Sequence, residues 1–199
     1  MARQKDNPLK GYEVLLCVTG GIACYKAADL TSKLVQAAAG VSVAMTEAAT
    51  RFVAPLTFQT LTGRAVYTSL WESTERYSSR HISVTDAADL MLIAPATANI
   101  IAKMAAGIAD ELVPTLGLAA AGACKILLAP AMNERMWEAP PTKANIKKLN
   151  RWGVHIVGPV RGYLACGVAG QGRLAEPDAI LAKATELLLS DPPKGHVGA

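Results

Sequence analysis

Aromatic residues are scarce in this 199-residue chain, at 5% of the composition, although hydrophobic residues reach 51%. The core must therefore consist mainly of aliphatic side chains and alanine, which suits close packing of helices against a sheet. The abundance of small apolar residues also fits a surface that a partner subunit would bury. A chain of this length most simply forms one domain that buries roughly two-thirds of its unfolded surface.

Long apolar runs are also absent. No segment approaches the roughly 20 consecutive apolar residues of a membrane-spanning helix. The first 13 residues, MARQKDNPLKGYE, are polar, and the run VLLCV that follows is too short for the hydrophobic part of a signal peptide. We therefore expect a cytoplasmic protein with no membrane partner.

The chain also lacks a large net charge and the cysteine and histidine spacing of a metal site. The net charge is only +4, and the basic residues are scattered rather than clustered, so no nucleic-acid partner is expected. The four cysteines show neither a CxxC spacing nor a nearby pair of histidines. We expect reduced thiols rather than a disulfide framework, and no metal site.

Short apolar runs alternate with helical patterns along most of the chain. The predicted strands are 13–18, 41–45, the apolar part of 88–96, 125–132 and 154–159. A helix is expected after the first strand, with Gly40 just beyond its end, and a last helix over 176–190. The alternation predicts the α/β class: a doubly wound, Rossmann- or flavodoxin-like parallel sheet with helices on both faces.

The last residues of the chain differ in composition from the rest. Residues 191–199, DPPKGHVGA, are rich in proline and glycine. They are expected to form a disordered tail or the start of a linker. Residues 1–190 are accordingly expected to be a single domain.

Loops after the predicted strands carry residues suited to ligand binding, which in such sheets takes place beyond the carboxyl ends of the strands. The glycines of TGGIA, residues 19–23, would let a phosphate approach a helix N-terminus, although a simple tight turn also explains them. Thr46 is either a helix cap or a ligand donor. Thr97 and Asn99 lie at the entry to the next helix. Together the loops favour a flat, phosphate-bearing cofactor.

Three further residues have both a structural and a functional interpretation. An unperturbed histidine has a pKa of about 6.5, which suits proton transfer near neutrality, but a lone histidine such as His81 is more often structural. Cys166 is either a small buried apolar residue or a thiol on a mobile, glycine-rich flap over a substrate. Asn133 lies within PAMNERMW, residues 130–137, whose methionines and tryptophan are unusual in a loop.

Four motifs follow one another in the order of a known family: VTGGIACYKAADL, APATANIIAKMAAGIADEL, PAMNERMW and ACGVAGQGRLAEP. The chain resembles the flavin-dependent cysteine decarboxylases over roughly residues 12–190, in particular the phosphopantothenoylcysteine decarboxylases of coenzyme A biosynthesis. The Pro-Ala-Met-Asn-x-x-Met-Trp motif is the most specific part, and it matches at every fixed position.

The resemblance implies an FMN site and an assembly. The family binds FMN, usually between the subunits of a homotrimer, and the trimers often form dodecamers. His81 matches the family's essential histidine, Asn133 the residue that holds the substrate carboxylate, with Met136 beside it, and Cys166 the proton donor. The positions that match the flavin site are Gly20, Gly21, Ile22, Thr46, Phe52, Ala96, Thr97, Ala98, Asn99 and Ala131.

The implied reaction converts phosphopantothenoylcysteine to phosphopantetheine. Oxidation of the substrate thiol to a thioaldehyde, with FMN taking the electrons, creates an electron sink beside the carboxylate. Carbon dioxide then leaves to give an enethiol, which the reduced flavin and Cys166 convert to the saturated product.

Two relatives with other functions are the alternatives. Peptidyl-cysteine decarboxylases stop at the enethiol and need no flap cysteine, so Cys166 favours the coenzyme A enzyme. Flavin-binding regulatory proteins keep the fold, but some lack the histidine or carry long acidic tails, whereas this chain has His81 and a short tail that is not acidic.

Overall fold

A parallel sheet forms the centre of the molecule. The computed structural model describes residues 7–71, 80–163, 167 and 169–195, and of residues 80–82 only the backbone. Within these residues the sheet strands are β1 (Glu13–Val18), β2 (Gly40–Met45), β3 (Val66–Tyr67), β4 (Leu90–Ala96), β5 (Lys125–Pro130) and β6 (His155–Ile156). They lie in the order β3-β2-β1-β4-β5-β6, and every neighbouring pair is parallel. This is the doubly wound order of dinucleotide-binding sheets, which confirms the predicted fold class.

Helices connect the strands. In the described part of the chain they are α1 (Cys24–Gln36), α2 (Glu47–Thr50), α3 (Pro55–Thr62), α4 (Arg80–Ala87), α5 (Ala98–Ala106), α6 (Leu112–Ala120), α7 (Glu134–Glu138), α8 (Pro140–Arg151) and α9 (Pro177–Leu189). None of these helices combines the length and the apolar character needed to cross a membrane.

Alternate residues of β1 pack into two separate cores, one on each face of the sheet. Leu16 belongs to the core that includes Leu34 of α1 and Ile180 of α9. Leu15 belongs to the core on the other face, which includes residues of α5 and α6 such as Val113. All of these side chains are fully buried. Because successive strand residues point to opposite faces, a continuous apolar run marks a strand covered on both sides.

An antiparallel hairpin of β7 (Val160–Tyr163) and β8 (Ala169–Arg173) stands apart from the sheet. The sequence did not predict it, because its strands are rich in glycine and charged residues rather than in β-branched ones. The two-residue strand β3 was also missed, since two residues carry no periodicity. The fifth predicted strand, 154–159, is confirmed only as His155–Ile156, just ahead of Gly158 and Pro159.

The end of α1 differs from the prediction. The helix stops at Gln36, and Ala38 rather than a glycine has the positive φ, +67°. Gly40 is instead the first residue of β2, where its amide donates to the carbonyl of Tyr12 at 2.9 Å. A Cβ on Gly40 would lie 1.9 Å from Oε1 of Glu13, its partner residue in β1, so this glycine leaves room for the Glu13 side chain that pairs with Arg64.

Residues beyond α9 contact the body of the protein as far as the structure describes them. The ammonium group of Lys194 donates to the carbonyls of Asp86, Ala88 and Ala123 at 2.7–3.0 Å. The expected domain boundary at residue 190 stays a prediction. Residues 191–195 nonetheless lie along the edge of the sheet where the strands begin.

We expect Ala38→Gly to raise the free energy of unfolding by about 0.5–1 kcal/mol, measured by urea denaturation. A left-handed conformation costs an alanine roughly 1–2 kcal/mol, and the added flexibility of the unfolded chain offsets about half of that. Ala37→Gly is the matched control: its φ is −78°, so the same change there should destabilise. Equal losses in both variants would contradict the strain at Ala38.

Candidate functional site

A cleft of about 770 Å³ lies beyond the carboxyl ends of β1 and β4, where the strand order reverses. Its volume is within the roughly 300–1,000 Å³ of small-molecule and cofactor sites. The loops after β1, β2, β4 and β5 line it, together with part of the hairpin. Ten predicted site residues therefore come together there: Gly20, Gly21, Ile22, Thr46, Thr97, Ala98, Asn99, Ala131, Asn133 and Met136.

The remaining predicted residues lie elsewhere or are not described. Ala96 is fully buried at the end of β4, and Phe52, just after α2, is half exposed and outside the cleft lining. His81 belongs to the first turn of α4, but its side chain lies outside the described atoms. Cys166 lies outside the described residues altogether.

A buried threonine joins the loops after β1 and β4. The hydroxyl of Thr19 donates to the carbonyl of Pro95 at 2.6 Å and accepts from the amide of Thr97 at 3.1 Å. Thr19 is only 1% exposed, so these hydrogen bonds are shielded from water. The two loops on either side of the switch point therefore hold each other in place.

The two glycines of the first loop have different explanations. A Cβ on Gly20 would lie 2.5 Å from Cβ of Ala48, so this glycine is required by the close packing of the loop against α2. A Cβ on Gly21 would meet only the methyl group of Thr97, at 3.9 Å. Packing explains Gly20, whereas Gly21 leaves open backbone facing the cleft.

The helices that begin at the cleft differ in how they are capped. Thr46, Thr97 and Asn133 cap α2, α5 and α7, each by accepting a hydrogen bond from a backbone amide of its own helix. No described side chain caps α1, which begins directly after the glycine loop. The amides of Cys24 and Lys26 donate to the carbonyls of Gly21 and Ala23, so this helix offers the cleft chiefly the positive end of its dipole.

Asn133 enters the cleft from the end of β5. Its side-chain oxygen accepts from the amide of Arg135 at 2.8 Å, which fixes the plane of the amide group. The NH₂ group is thus the end of the side chain suited to donating to a ligand. Met132 and Met136 line the cleft beside it, whereas Trp137 is buried behind them with the ammonium of Lys143 4.5 Å from its ring centroid.

Three charged residues at the cleft were not predicted from the sequence. Lys26 and Arg173 both pair with the carboxylate of Glu176, at 2.9 and 2.6 Å, and the two cations line the cleft. The pKa of Glu176 lies below its usual range, chiefly because Lys26 donates a hydrogen bond to it. Two cations share one carboxylate, so this edge of the cleft keeps a positive charge. Glu111, which pairs with Lys103 at 2.6 Å, lines another part.

The hairpin supplies residues that also escaped prediction. Tyr163 at the end of β7 and Gly172 and Arg173 in β8 line the cleft, and Tyr163 is largely exposed. The amide of Met132 donates to the carbonyl of Gly172 at 2.9 Å, which joins the hairpin to the Asn133 loop. The motif GQGRLAEP was the available signal, but its spacing gave no hint of a strand.

The described cysteines, Cys17, Cys24 and Cys124, carry free thiols. Burial raises the pKa of each of these thiols above its usual value. Cys24 donates to the carbonyl of Thr19 at 3.1 Å, below the glycine loop. Cys24 therefore packs beneath the cleft. Among the described residues, no group of three or more His, Cys, Asp or Glu side chains has the arrangement of a metal site.

Curated relatives share much of this sequence. The bifunctional coenzyme A biosynthesis protein CoaBC of Bacillus subtilis (strain 168) is 51% identical over 173 residues, 87% of this chain and 42% of that protein. The chain therefore spans about two-fifths of the length of this bifunctional relative. The probable phosphopantothenoylcysteine decarboxylase of Streptococcus mutans serotype c is 42% identical over 176 residues, 88% of this chain and 98% of that protein.

Solved structures share the fold. A PPC decarboxylase variant complexed with pantothenoylaminoethenethiol superposes with a TM-score of 0.83 at 28% identity, covering 92% of this chain and all of that one. The FMN-binding protein AtHal3 gives a TM-score of 0.81, again at 28% identity and with the same coverage. The family model described as Flavoprotein matches residues 2–189. Since this match spans nearly the whole chain, the protein belongs to the Flavoprotein family.

Proposed function

We propose that this chain is an FMN-dependent phosphopantothenoylcysteine decarboxylase of coenzyme A biosynthesis, acting in the cytoplasm. The observation that carries the proposal is the meeting of the glycine loop, the Thr97 turn and Asn133 in one cleft. The Streptococcus mutans relative bearing this name matches over almost its whole length, which supports the same activity here.

The cleft fits a flavin mononucleotide. Its volume is sufficient, and the positive end of the α1 dipole beside Gly21 favours a phosphate there. The apolar part of its lining, Ile22, Ala98 and Ala131, suits a flat ring, while Thr46 and Asn99 provide polar side chains at its walls. The proposed flavin-binding residues are Gly20, Gly21, Ile22, Thr46, Phe52, Ala96, Thr97, Ala98, Asn99 and Ala131.

A homo-oligomer, trimer or dodecamer, belongs to the proposal. Ile22 and Tyr25 line the cleft and yet are more than half exposed in one chain, and Leu56 of α3 is exposed as well. Phe52 lies outside the cleft of one chain, so we assign its part in the flavin site to an interface with a second copy. Burial of these side chains would remove apolar surface from water.

When bound in the cleft, a flavin would supply the redox chemistry, as a reversible acceptor of two electrons from the substrate's cysteine thiol. The protein's task is to hold the carboxylate without stabilising it too strongly. The Asn133 NH₂ group donates hydrogen bonds but adds no positive charge, so the charged group is oriented and can still leave. Met132 and Met136 give the same region an apolar wall that limits water.

The two remaining catalytic roles rest on the resemblance. Cys166 is proposed to deliver a proton to the substrate carbon during the final reduction. His81 is the proposed essential histidine, and its backbone lies in the first turn of α4. With both residues the chain would complete a cycle that needs no outside reductant.

The direct test is mass analysis of phosphopantothenoylcysteine after incubation with the purified, flavin-loaded protein and no added reductant. Loss of carbon dioxide alone, giving phosphopantetheine, is the expected result. Loss of carbon dioxide and two hydrogens would instead support enethiol formation, the reaction of peptidyl-cysteine decarboxylases. Unchanged substrate with flavin still bound would contradict the proposal and favour a regulatory, flavin-binding role.

Asn133→Asp should lower carbon dioxide release by roughly 100-fold or more, since a carboxylate in place of the donor repels the substrate carboxylate. The measurement is carbon dioxide release from phosphopantothenoylcysteine. Asn150→Asp, an exposed position near the end of α8, makes the same change of charge away from the cleft and should leave the rate unchanged. Normal turnover by Asn133→Asp would remove this residue from carboxylate binding.

Cys166→Ser should allow oxidation and decarboxylation but block the final reduction, because a hydroxyl is a far weaker acid than a thiol. Mass analysis should then find a product two mass units lighter than phosphopantetheine. Cys124→Ser, a thiol outside the cleft lining, is the control and should give phosphopantetheine. Full conversion to phosphopantetheine by Cys166→Ser would contradict the assigned proton donor.

A further inference from the structure

A carboxylate next to Asn133 ties the hairpin to the candidate site. Oε1 of Glu134 accepts a hydrogen bond from the backbone amide of Gln171 in β8 at 2.8 Å. One residue further along β8, the carbonyl of Gly172 accepts from the amide of Met132 at 2.9 Å. The segment that presents Asn133 and the strand β8 are therefore joined on both sides of that residue.

Two glycines of β8 allow this close contact because they have no side chain. A Cβ on Gly170 would lie 2.6 Å from Oε2 of Glu134, and a Cβ on Gly172 would lie 2.2 Å from the carbonyl oxygen of Met132. A side chain at position 172 would meet backbone, whereas one at position 170 would displace the Glu134 carboxylate. The carboxylate and the two glycines thus form one close contact between distant parts of the chain.

The helix dipole is a general explanation for an acidic residue at position 134, but it is weaker than this one. Glu134 is the first residue of α7, where a negative charge also favours the helix dipole. The dipole alone would be served by a carboxylate pointing in any direction, whereas Oε1 of Glu134, although the residue is exposed, accepts from one amide of another element. The dipole also does not require glycine opposite the carboxylate, at position 170.

We propose that Glu134 is a positioning residue that sets the distance between the Asn133 amide and the hairpin residues of the cleft, Tyr163 and Arg173. The inference rests on the proposed function in one respect, since it assumes that Asn133 holds the substrate carboxylate. The side chain does not contact the substrate. It acts by accepting the Gln171 amide, so that both walls of the cleft move together.

Two substitutions separate the accepting atom from the charge. Glu134→Ala removes both, while Glu134→Gln keeps a side-chain oxygen that can accept from Gln171 and loses only the charge. Hydrogen exchange of the Gln171 amide, followed in the flavin-loaded protein, should be at least about tenfold faster in Glu134→Ala, because the amide loses a hydrogen bond to a charged group. In Glu134→Gln the acceleration should be clearly smaller, about fivefold or less, because a neutral acceptor remains.

The kinetic expectation follows from the geometry. Glu134→Ala should raise KM for phosphopantothenoylcysteine by about tenfold with a smaller change in kcat, and Glu134→Gln should restore most of the loss. Flavin absorbance should be the same in all three proteins. Glu138→Ala is the matched control: this glutamate lies on the same helix, but pairs with Lys143 at 3.0 Å, and both readouts should remain at parent values.

Each outcome decides the matter. Unchanged exchange at Gln171 in Glu134→Ala would overturn the proposal, as would Glu134→Gln behaving like Glu134→Ala. Faster exchange with an unaltered KM would also overturn it, because the contact would then be structural only. If the parent protein proves inactive, the proposed function fails on its own evidence. Exchange of the Gln171 amide does not depend on turnover, so it would still decide whether Glu134 holds the hairpin.

Discussion

Parallel pairing of β1 with β2 on one side and β4 on the other is the constraint on which the cleft depends. From β1 the sheet grows towards β3 in one direction and towards β5 and β6 in the other. The connecting helices consequently turn to opposite faces and leave a crevice at the carboxyl ends of the strands. Across its base the Thr19 hydroxyl bonds to the loop after β4. A ligand there is held by loops that the sheet itself positions.

The polar residues of the cleft have structural and binding interpretations that do not exclude each other. Thr46, Thr97 and Asn133 each cap a helix, and each also lines the cleft. A cap fixes the side chain in one orientation, so little conformational entropy remains to be lost when a ligand binds. The sequence raised capping and ligand binding as alternatives for Thr46, and in the structure this residue caps α2 and also lines the cleft.

Glycines that look alike in the sequence serve different purposes. Gly40 was predicted to end α1, but it leaves room for the Glu13 side chain, and Ala38 takes the left-handed position instead. Gly170 and Gly172 suggested a flexible flap, yet they belong to a strand packed against Glu134 and Met132. In each case the deciding contact is with a residue far away in the chain. Local sequence cannot distinguish a glycine needed for its φ from one needed for space.

The sequence by itself determined the alternation of buried strands and amphipathic helices, because the periodicity of apolar residues records which sides of an element are buried. It also marked Asn133 and the glycine loop, whose residue types are unusual at those positions. Only the tertiary structure decided that the loops near residues 19, 97, 133 and 172 share one cleft. Their separation depends on the order in which distant strands pair. Backbone hydrogen bonds make that pairing, and such bonds leave no distinctive pattern in the side chains.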